Sequence, residues 1–378
     1  MQIHRVKSGE TIYSIAREYG VSPRKIIENN GLKNPDSLAI GRELLILIPT
    51  RTYTARYGDT LEAISKRFSV SREELLKNNP ALAGTEKIYP EEIFAVKYPE
   101  KNHGTLLLNG YLYRDYSAER LSFMLPYLSH LTLSACTYDR GKIRRLFRAS
   151  EAVNNTKTLG KRLAMRIYIP NPEQTETESL ISAAISEAKA LGCEEITLAI
   201  SGASENTGLY NSLSEIKNAL LAEGLSLNIE TDGSISKSCL SVPKTLILCR
   251  DDCLSSAEQS LELYKNFQNE AEPSSVFIDL SPFAYRNGAP VPIDEAMNIA
   301  DREGAPISTS EDKMTLSFKW RSEEFILPSL ENIKAKLDLI GELGYLGCSV
   351  DVMRCPISHL MMLSSLFHLA PDYFSGAM

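Results

Sequence analysis

The chain has 378 residues, 43% hydrophobic content and a formal net charge of -7. That length accommodates one large core plus smaller units, and the apolar fraction argues against global disorder. A net negative chain gathers no positive field to neutralise phosphates, which excludes a nucleic-acid partner, and no run approaches the ~18 apolar residues of a membrane span.

The opening stretch MQIHRVKSGETIYSIAREYG is charged throughout, so the expectation is a product made without a signal peptide. From Val6 to Pro49 the chain runs VKSGETIYSIAREYGVSPRKIIENNGLKNPDSLAIGRELLILIP. From Ala55 to Pro99 the pattern returns as ARYGDTLEAISKRFSVSREELLKNNPALAGTEKIYPEEIFAVKYP, which reads as a second copy of one compact unit. Gly9 or Gly58 ends a short strand in a turn, and Thr11 or Thr60 caps a helix; in the first copy Ile12, Ile15, Ala16 and Tyr19 share one face of it. Gly20 breaks that helix and Ser22 caps the next one across Ile26 and Ile27. Asn29-Asn30-Gly31 then turns the chain, and Leu44-Leu45-Ile46-Leu47 returns as a strand. The predicted unit is βααβ, placed at 1–50 and again at 51–100.

These repeats resemble the LysM module on SGETIYSIAREYGVS, NNGLKNPDSLAIG and LLILIP in the first copy. YGDTLEAISKRFSVS, NNPALAGTEKIYP and IFAVKYP carry the resemblance in the second. It implies a shallow groove for β-1,4-linked N-acetylglucosamine polymers such as peptidoglycan or chitin. In the first repeat the groove would involve Gly9, Glu10, Thr11 and Ile12 with Gly31, Leu32, Asn34 and Pro35. In the second it would involve Gly58, Asp59, Thr60 and Leu61 with Pro80, Ala81 and Leu82. Turn loops present the small apolar seat and backbone partners that an N-acetyl group needs, and two weak sites on one polymer reinforce each other through effective concentration.

From Gly104 onward, strand-like runs recur at GTLLLNGYLY, HLTLSACTY, RLAMRIYIP, EEITLAISG, LSLNIE, KTLILCRDD, SSVFIDLSPFAY and GCSVDVM, several of them separated by amphipathic helical stretches. Eight strands with helix-length crossovers predict a (β/α)8 TIM barrel, an α/β fold, over 103–378. A doubly wound sheet is the runner-up, but no Gly-rich phosphate turn follows an early strand. An insertion at about 289–329 reads as a helix and then a hairpin, MTLSFKW and EEFILPS around Arg321-Ser322, forming a small α+β lobe. Trp320, on that hairpin, is either a sugar platform or a packed core residue. Lys142, Arg144, Arg145 and Arg148 read as a solvated helix start. Cys136, Cys193, Cys249 and Cys348 lie in apolar runs and are expected as reduced, buried thiols. Cys249 and Cys253 have no matching second pair, so no metal site is expected.

The stretch from Gly104 to Phe367 resembles family 18 glycoside hydrolases, specifically the LysM-bearing branch of spore-forming bacteria associated with cortex or coat peptidoglycan. NGYLYR, LTLSACTYDRGKI, VPIDEAMNIADREGAPISTS, the LSFKW and EEFILPS pair, and SLENIKAKLDLIGELGYLGCSVDVM carry the resemblance. It implies cofactor-free, retaining cleavage after N-acetylglucosamine, in which the substrate's acetamido oxygen attacks the anomeric carbon. The family's fourth strand ends Asp-x-Glu, and alignment from Gly192 puts Ala199 at the aspartate position and Ser201 at that of the acid. A serine hydroxyl is too weak an acid for this step, and general acid catalysis contributes roughly 10²–10⁴ in rate. A neutral residue 199 also removes charge stabilisation of the oxazolinium-like intermediate. The sixth strand, Met-x-Tyr-Asp in the family, reads Leu248-Cys249-Arg250-Asp251. In the eighth, Asp351 takes the place of a tryptophan, with Arg250 as its expected partner if both point inward.

Carboxylates expected near the strand ends are Glu205, Glu230, Asp232, Asp251, Asp252, Asp279 and Asp351, of which Glu205 is the preferred alternative acid because it follows strand four on a turn. The leading expectation is therefore a peptidoglycan-binding protein whose barrel is a scaffold or a glycan- or partner-binding domain without catalysis. The alternative is an active, cortex-lytic type N-acetylglucosaminidase with a rearranged acid. The expected location is the spore coat or cortex or the cell wall, with coat or cortex proteins as further partners, and the cytoplasm is the alternative.

Overall fold

The computed structural model describes all residues except 83–86, 102, 114–115, 201–207, 233–236, 250–253, 256 and 371–378. The first repeat folds as β1 (Gln2–Arg5), α1 (Ile12–Tyr19), α2 (Pro23–Asn30) and β2 (Glu43–Ile46), with β1 antiparallel to β2. The second repeats it as β3 (Arg51–Thr54), α3 (Leu61–Phe68), α4 (Arg72–Asn78) and β4 (Ile93–Lys97). Thr11 Oγ accepts from Ser14 N at 3.1 Å while Ser14 Oγ accepts from Thr11 N at 2.9 Å, a reciprocal capping box. Thr60 makes only the forward bond, from Ala63 N at 3.2 Å. Ser22 occupies the expected cap position of α2, but its hydroxyl makes no capping bond; Pro23, with φ preset for a helix, starts the element instead. The Asn-Asn runs brace the interior as well as preceding the turns. Asn30 donates to the carbonyls of Ile26 and Leu45, both at 2.9 Å, and accepts from Leu45 N at 2.7 Å. Asn79 makes the equivalent bonds to Leu75 and Ala95.

The barrel strands are β5 (Thr105–Leu112), β6 (His130–Asp139), which carries an antiparallel partner β7 (Lys142–Arg145), then β8 (Arg162–Ile169), β9 (Glu195–Ile200), β10 (Ser226–Thr231), β11 (Thr245–Leu248) and β12 (Val276–Asp279). The crossovers carry α5 (Ala118–Met124), α6 (Ser150–Thr158), α7 (Thr177–Leu191), α8 (Gly208–Asn211), α9 (Leu213–Ala222), α10 (Lys237–Leu240) and α11 (Ala257–Gln268). After β12 comes the lobe: β13 (Ala284–Arg286), β14 (Ala289–Val291), α12 (Ile293–Glu303), β15 (Ser308–Thr309), β16 (Thr315–Trp320) and β17 (Glu323–Pro328). Helix α13 (Leu330–Glu342) leads to the last barrel strand β18 (Gly347–Asp351), and α14 (Ile357–Leu366) and β19 (His368–Leu369) follow. Every neighbouring pair among the eight is parallel and β18 pairs with β5, so the sheet closes. Two βααβ modules followed by a (β/α)8 barrel is the predicted architecture.

The basic cluster corrects one expectation. Lys142–Arg145 is a strand, not a helix start, because Arg140 and Gly141 turn at φ 46 and 78 and fold it back on β6. The hairpin of β13 and β14 leaves no mark in the sequence pattern, since strands of three residues carry no measurable period. Among the described residues, no helix is long and apolar enough to cross a membrane.

The modules pack onto the barrel. A buried Arg42–Asp301 ion pair and a 2.8 Å bond from Ile307 N to Ile40 O join the first module to the lobe. Glu43 accepts from Leu330 N at 2.7 Å, at the start of α13. In the second module, Lys77 Nζ donates to Leu369 O and Tyr127 OH to Lys77 O, each at 3.0 Å.

Candidate active site

Alternate residues of each barrel strand point into the lumen, and the sheet register stacks them in layers. At the amino-terminal floor the layer is polar and filled. Glu195 (β9) accepts from Asn228 Nδ2 at 2.8 Å and meets Arg162 at 3.1 Å and Lys244 at 3.2 Å. Thr245 donates to Asn228 and Thr132 to Asn109, both at 2.7 Å, leaving a void of only about 10 Å³. Burial pushes the Glu195 carboxyl up, but His130, Lys244, Asn228 and Arg162 outweigh it and hold it below its ordinary range.

At the mouth, Arg166 (β8) grips Glu230 (β10) with two parallel bonds, Nε to Oε2 at 2.6 Å and the second amino group to Oε1 at 2.7 Å. Tyr111 OH, from β5, donates to the same carboxylate at 3.3 Å. Between these strands in register sits Ala199, 4% exposed and opposite both Tyr168 and Glu230. Its methyl group leaves the span across which Arg166 reaches Glu230. The carboxylate opposite position 199 in register is thus Glu230, one strand over and ion-paired with Arg166.

Asp279 ends β12 half-buried, accepting from Ser281 Oγ at 2.8 Å. Burial, with Glu230 and Asp351 adding negative charge, raises its carboxyl to about 7, against lesser opposition from the Ser281 bond and Arg166. Asp351 ends β18 with 4% exposure and accepts from Met353 N at 2.8 Å and Arg354 N at 3.2 Å. Burial raises this carboxyl too, against those bonds and the charge of Arg354, whose guanidinium lies 3.5 Å away. Arg354 is thus an observed partner of Asp351; the expected one, Arg250, lies outside the described residues, as do Ser201, Glu205, Asp251, Asp252 and Cys253. Cys249 is exposed rather than buried because β11 ends at Leu248, while Cys136, Cys193 and Cys348 are buried. Trp320 packs against the core of the lobe with the Arg321 guanidinium 4.3 Å over its ring, which covers a face that a sugar would need.

Of the residues expected in the LysM grooves, Ile12, Leu61 and Leu82 are core residues at 2%, 4% and 2% exposure. Leu32 is buried in its module's core as well. Thr11 and Thr60 are exposed helix caps, Gly9, Gly58 and Asn34 are exposed, and Glu10, Asp59 and Pro35 are half-buried. Glu10 and Asp59 bond back to their own turns, to Lys7 N and Arg56 N, both at 2.7 Å. Gly31 and Leu32 come together with Pro80 and Ala81 in one cleft. Sequence reasoning places Glu230 and Asp279 at strand ends without singling them out. The signal that could do so is parity: Asn228 with Glu230, and Phe277 with Asp279, fall on the inward face.

The LysM domain family matches residues 4–47 and 53–95, so the chain carries two LysM domains. The spore cortex-lytic enzyme SleL of Bacillus megaterium superposes with a TM-score of 0.74 at 18% identity, covering 98% of this chain and 99% of that one. A chitinase of Chromobacterium violaceum superposes with a TM-score of 0.62 at 10% identity, over 69% of this chain and 98% of that one. The cortical fragment-lytic enzyme of Bacillus subtilis is 44% identical over 48 residues, 13% of this chain and 11% of that protein. The chain spans well under half the length of the curated relatives it matches. The barrel has the family 18 chitinase and SleL fold. The full-length correspondence to a cortex-lytic enzyme overturns the expectation of a barrel without activity. That expectation rests chiefly on Ala199 and Ser201, whereas acidity in a barrel lumen depends on all eight strand ends.

Proposed function

We propose that the chain is a peptidoglycan N-acetylglucosaminidase of the spore cortex-lytic type, in which the proton donor stands on the seventh barrel strand, at Asp279, instead of the fourth. The observation that carries this reading is the pairing of unlike carboxyls at the mouth: Glu230 clamped by Arg166, and Asp279 raised to about 7. A carboxyl raised toward neutrality beside a second one held in a bidentate ion pair suits a proton donor next to a fixed polar group.

In the reaction, the substrate's acetamido oxygen bonds to the anomeric carbon as the glycosidic bond breaks, and Asp279 delivers its proton to the departing oxygen. The Glu230 carboxylate, fixed by Arg166 and Tyr111, faces the positive charge of the oxazolinium that forms. Water then attacks the anomeric carbon and returns a proton to Asp279, giving retention. The LysM modules hold the same amino-sugar polymer, and the protein works at the spore or cell wall, the setting named for SleL and the cortical fragment-lytic enzyme.

The test is release of reducing ends from purified cortex peptidoglycan and chitin oligomers above a heat-killed control, with Asp279→Asn alongside. Turnover that disappears in Asp279→Asn supports the reading. A folded protein that releases nothing, or an Asp279→Asn protein that keeps its rate, refutes it.

A further inference from the structure

We infer that the hairpin of β6 and β7 is a cationic arm of the barrel mouth, in which Lys142 and Arg144 take the carboxylates of peptide stems on the strand being cut. Residues 140–148 include five cations, Arg140, Lys142, Arg144, Arg145 and Arg148, all exposed in a chain whose net charge is -7. Strand β7 pairs with β6 beyond the last β5 pairing, Leu112 with Leu133, so it stands on the rim above the end of β5. Register decides which way its side chains face. Cys136 pairs with Arg145 and with Ile167, and Thr137 pairs with Arg144 and with Tyr168. Arg145 therefore shares the helix side with buried Cys136 and Ile167, and there it pairs with Glu187 of α7. Arg144, and Lys142 two positions before it, take the lumen side with Thr137, Tyr168, Ala199 and Glu230.

The aim of the arm depends on one irregularity. Thr132 points inward, yet a register shift between Leu133 and Cys136 adds a residue to β6, so Thr137 rather than Cys136 returns to the lumen side. Without it, Ile143 and Arg145 would face the mouth. Among the described residues Lys142 and Arg144 have no acidic partner, and Asp139, opposite Lys142, lies 3.9 Å from Arg140 instead. Arg144 stands four strand spacings from Glu230, roughly 19 Å along the sheet, with the 36% exposed Tyr168 between them. A strand lying across the mouth thus meets the arm away from the bond to be broken. Chitin is neutral there, whereas the peptide stems of peptidoglycan carry free carboxylates, so the arm separates two polymers built on the same amino sugar. This rests on the reading of the barrel as a peptidoglycan-cutting enzyme.

The experiment measures binding of soluble peptidoglycan strands, native or with their carboxylates methyl-esterified, to the Asp279→Asn chain with and without Lys142→Gln and Arg144→Gln, all checked for equal melting temperature. At low ionic strength the parent is expected to hold native strands about fivefold more tightly than esterified ones, and the double variant to hold both alike. High salt removes the difference, because exposed charges are screened. Native-strand affinity in the double variant within about twofold of the parent overturns the inference, and so does an equal loss on esterified strands. An equal loss in Arg145→Gln also overturns it, since charge that only blocks edge pairing has no preferred face. Loss of inorganic polyphosphate binding alone assigns the arm to another polyanion and overturns it as well. A preference for native strands with no hydrolysis by the chain that keeps Asp279 sinks the catalytic reading and keeps the arm; hydrolysis without that preference does the reverse.

Discussion

Glu195 on the floor of the barrel and Asp279 at its mouth are carboxyls of one lumen, and burial pushes both upward, yet one ends below its ordinary range and the other well above. The difference lies in their neighbours. Glu195 faces Arg162, Lys244 and His130, whereas Asp279 faces two further carboxyls and one guanidinium that Glu230 already occupies. Desolvation sets how much a charge costs, and the local balance of charge decides which protonation state the site adopts. The floor is thereby an ion-pair network, and the mouth carries a carboxyl raised to about 7.

The largest effect expected from breaking this contrast is on turnover. Asp279→Asn should lower kcat by about 10²–10⁴ with little change in KM, the signature of a group used in the transition state. At the floor the consequence moves to stability. Glu195→Gln removes the buried carboxylate shared by Arg162 and Lys244, and chemical denaturation should show a loss of about 2–3 kcal/mol, below the 3–5 of a fully enclosed pair because Arg162 keeps Glu194 at 3.3 Å and Lys244 reaches solvent. The molecules that remain folded should keep their kcat.

The pH dependences sharpen the same comparison. A proton donor must be protonated, so kcat should fall as pH rises through about 7. For stability the sign is opposite to that of a salt-bridged carboxylate. A folded-state value above the unfolded one makes ionised Asp279 a destabilising charge, whose cost is absent well below 3.8, grows as pH rises from there, and is fully expressed above about 7. Asp279→Asn should therefore melt close to the parent at about pH 3, below the unfolded value of 3.8, and higher at pH 8. The smallest expected effect is on the position of that alkaline limb: in Glu230→Gln, whose rate also falls with the loss of the carboxylate facing the oxazolinium, losing a neighbouring negative charge and releasing Arg166 both favour ionised Asp279, so the residual limb should move down by about 1 in pH.

Much of the fold is legible in the chain itself. The eight strand runs and the two βααβ patterns carry their period and their caps in the sequence, and Thr11 and Thr60 cap as the spacing implies. Ala199 stands on the fourth barrel strand, in the lumen, as alignment from Gly192 places it. The ion pair at the mouth is not legible, because Arg166 and Glu230 are 64 positions apart and meet only when the sheet closes. Nor is the seam between the first module and the barrel, since Gly31 reads as a helix terminator and nothing local says that Ile357 lies against it.

The sequence by itself determined the periodic and the local: which segments become strands and helices, where turns fall, and which chemistry is missing at positions 199 and 201. Tertiary structure alone decided which carboxyls share a space, what cations answer them, and how the two modules sit against the barrel. The physical reason is that periodicity is a property of neighbours along the chain, whereas proton affinity depends on every charge within a few ångströms, whatever its distance in sequence.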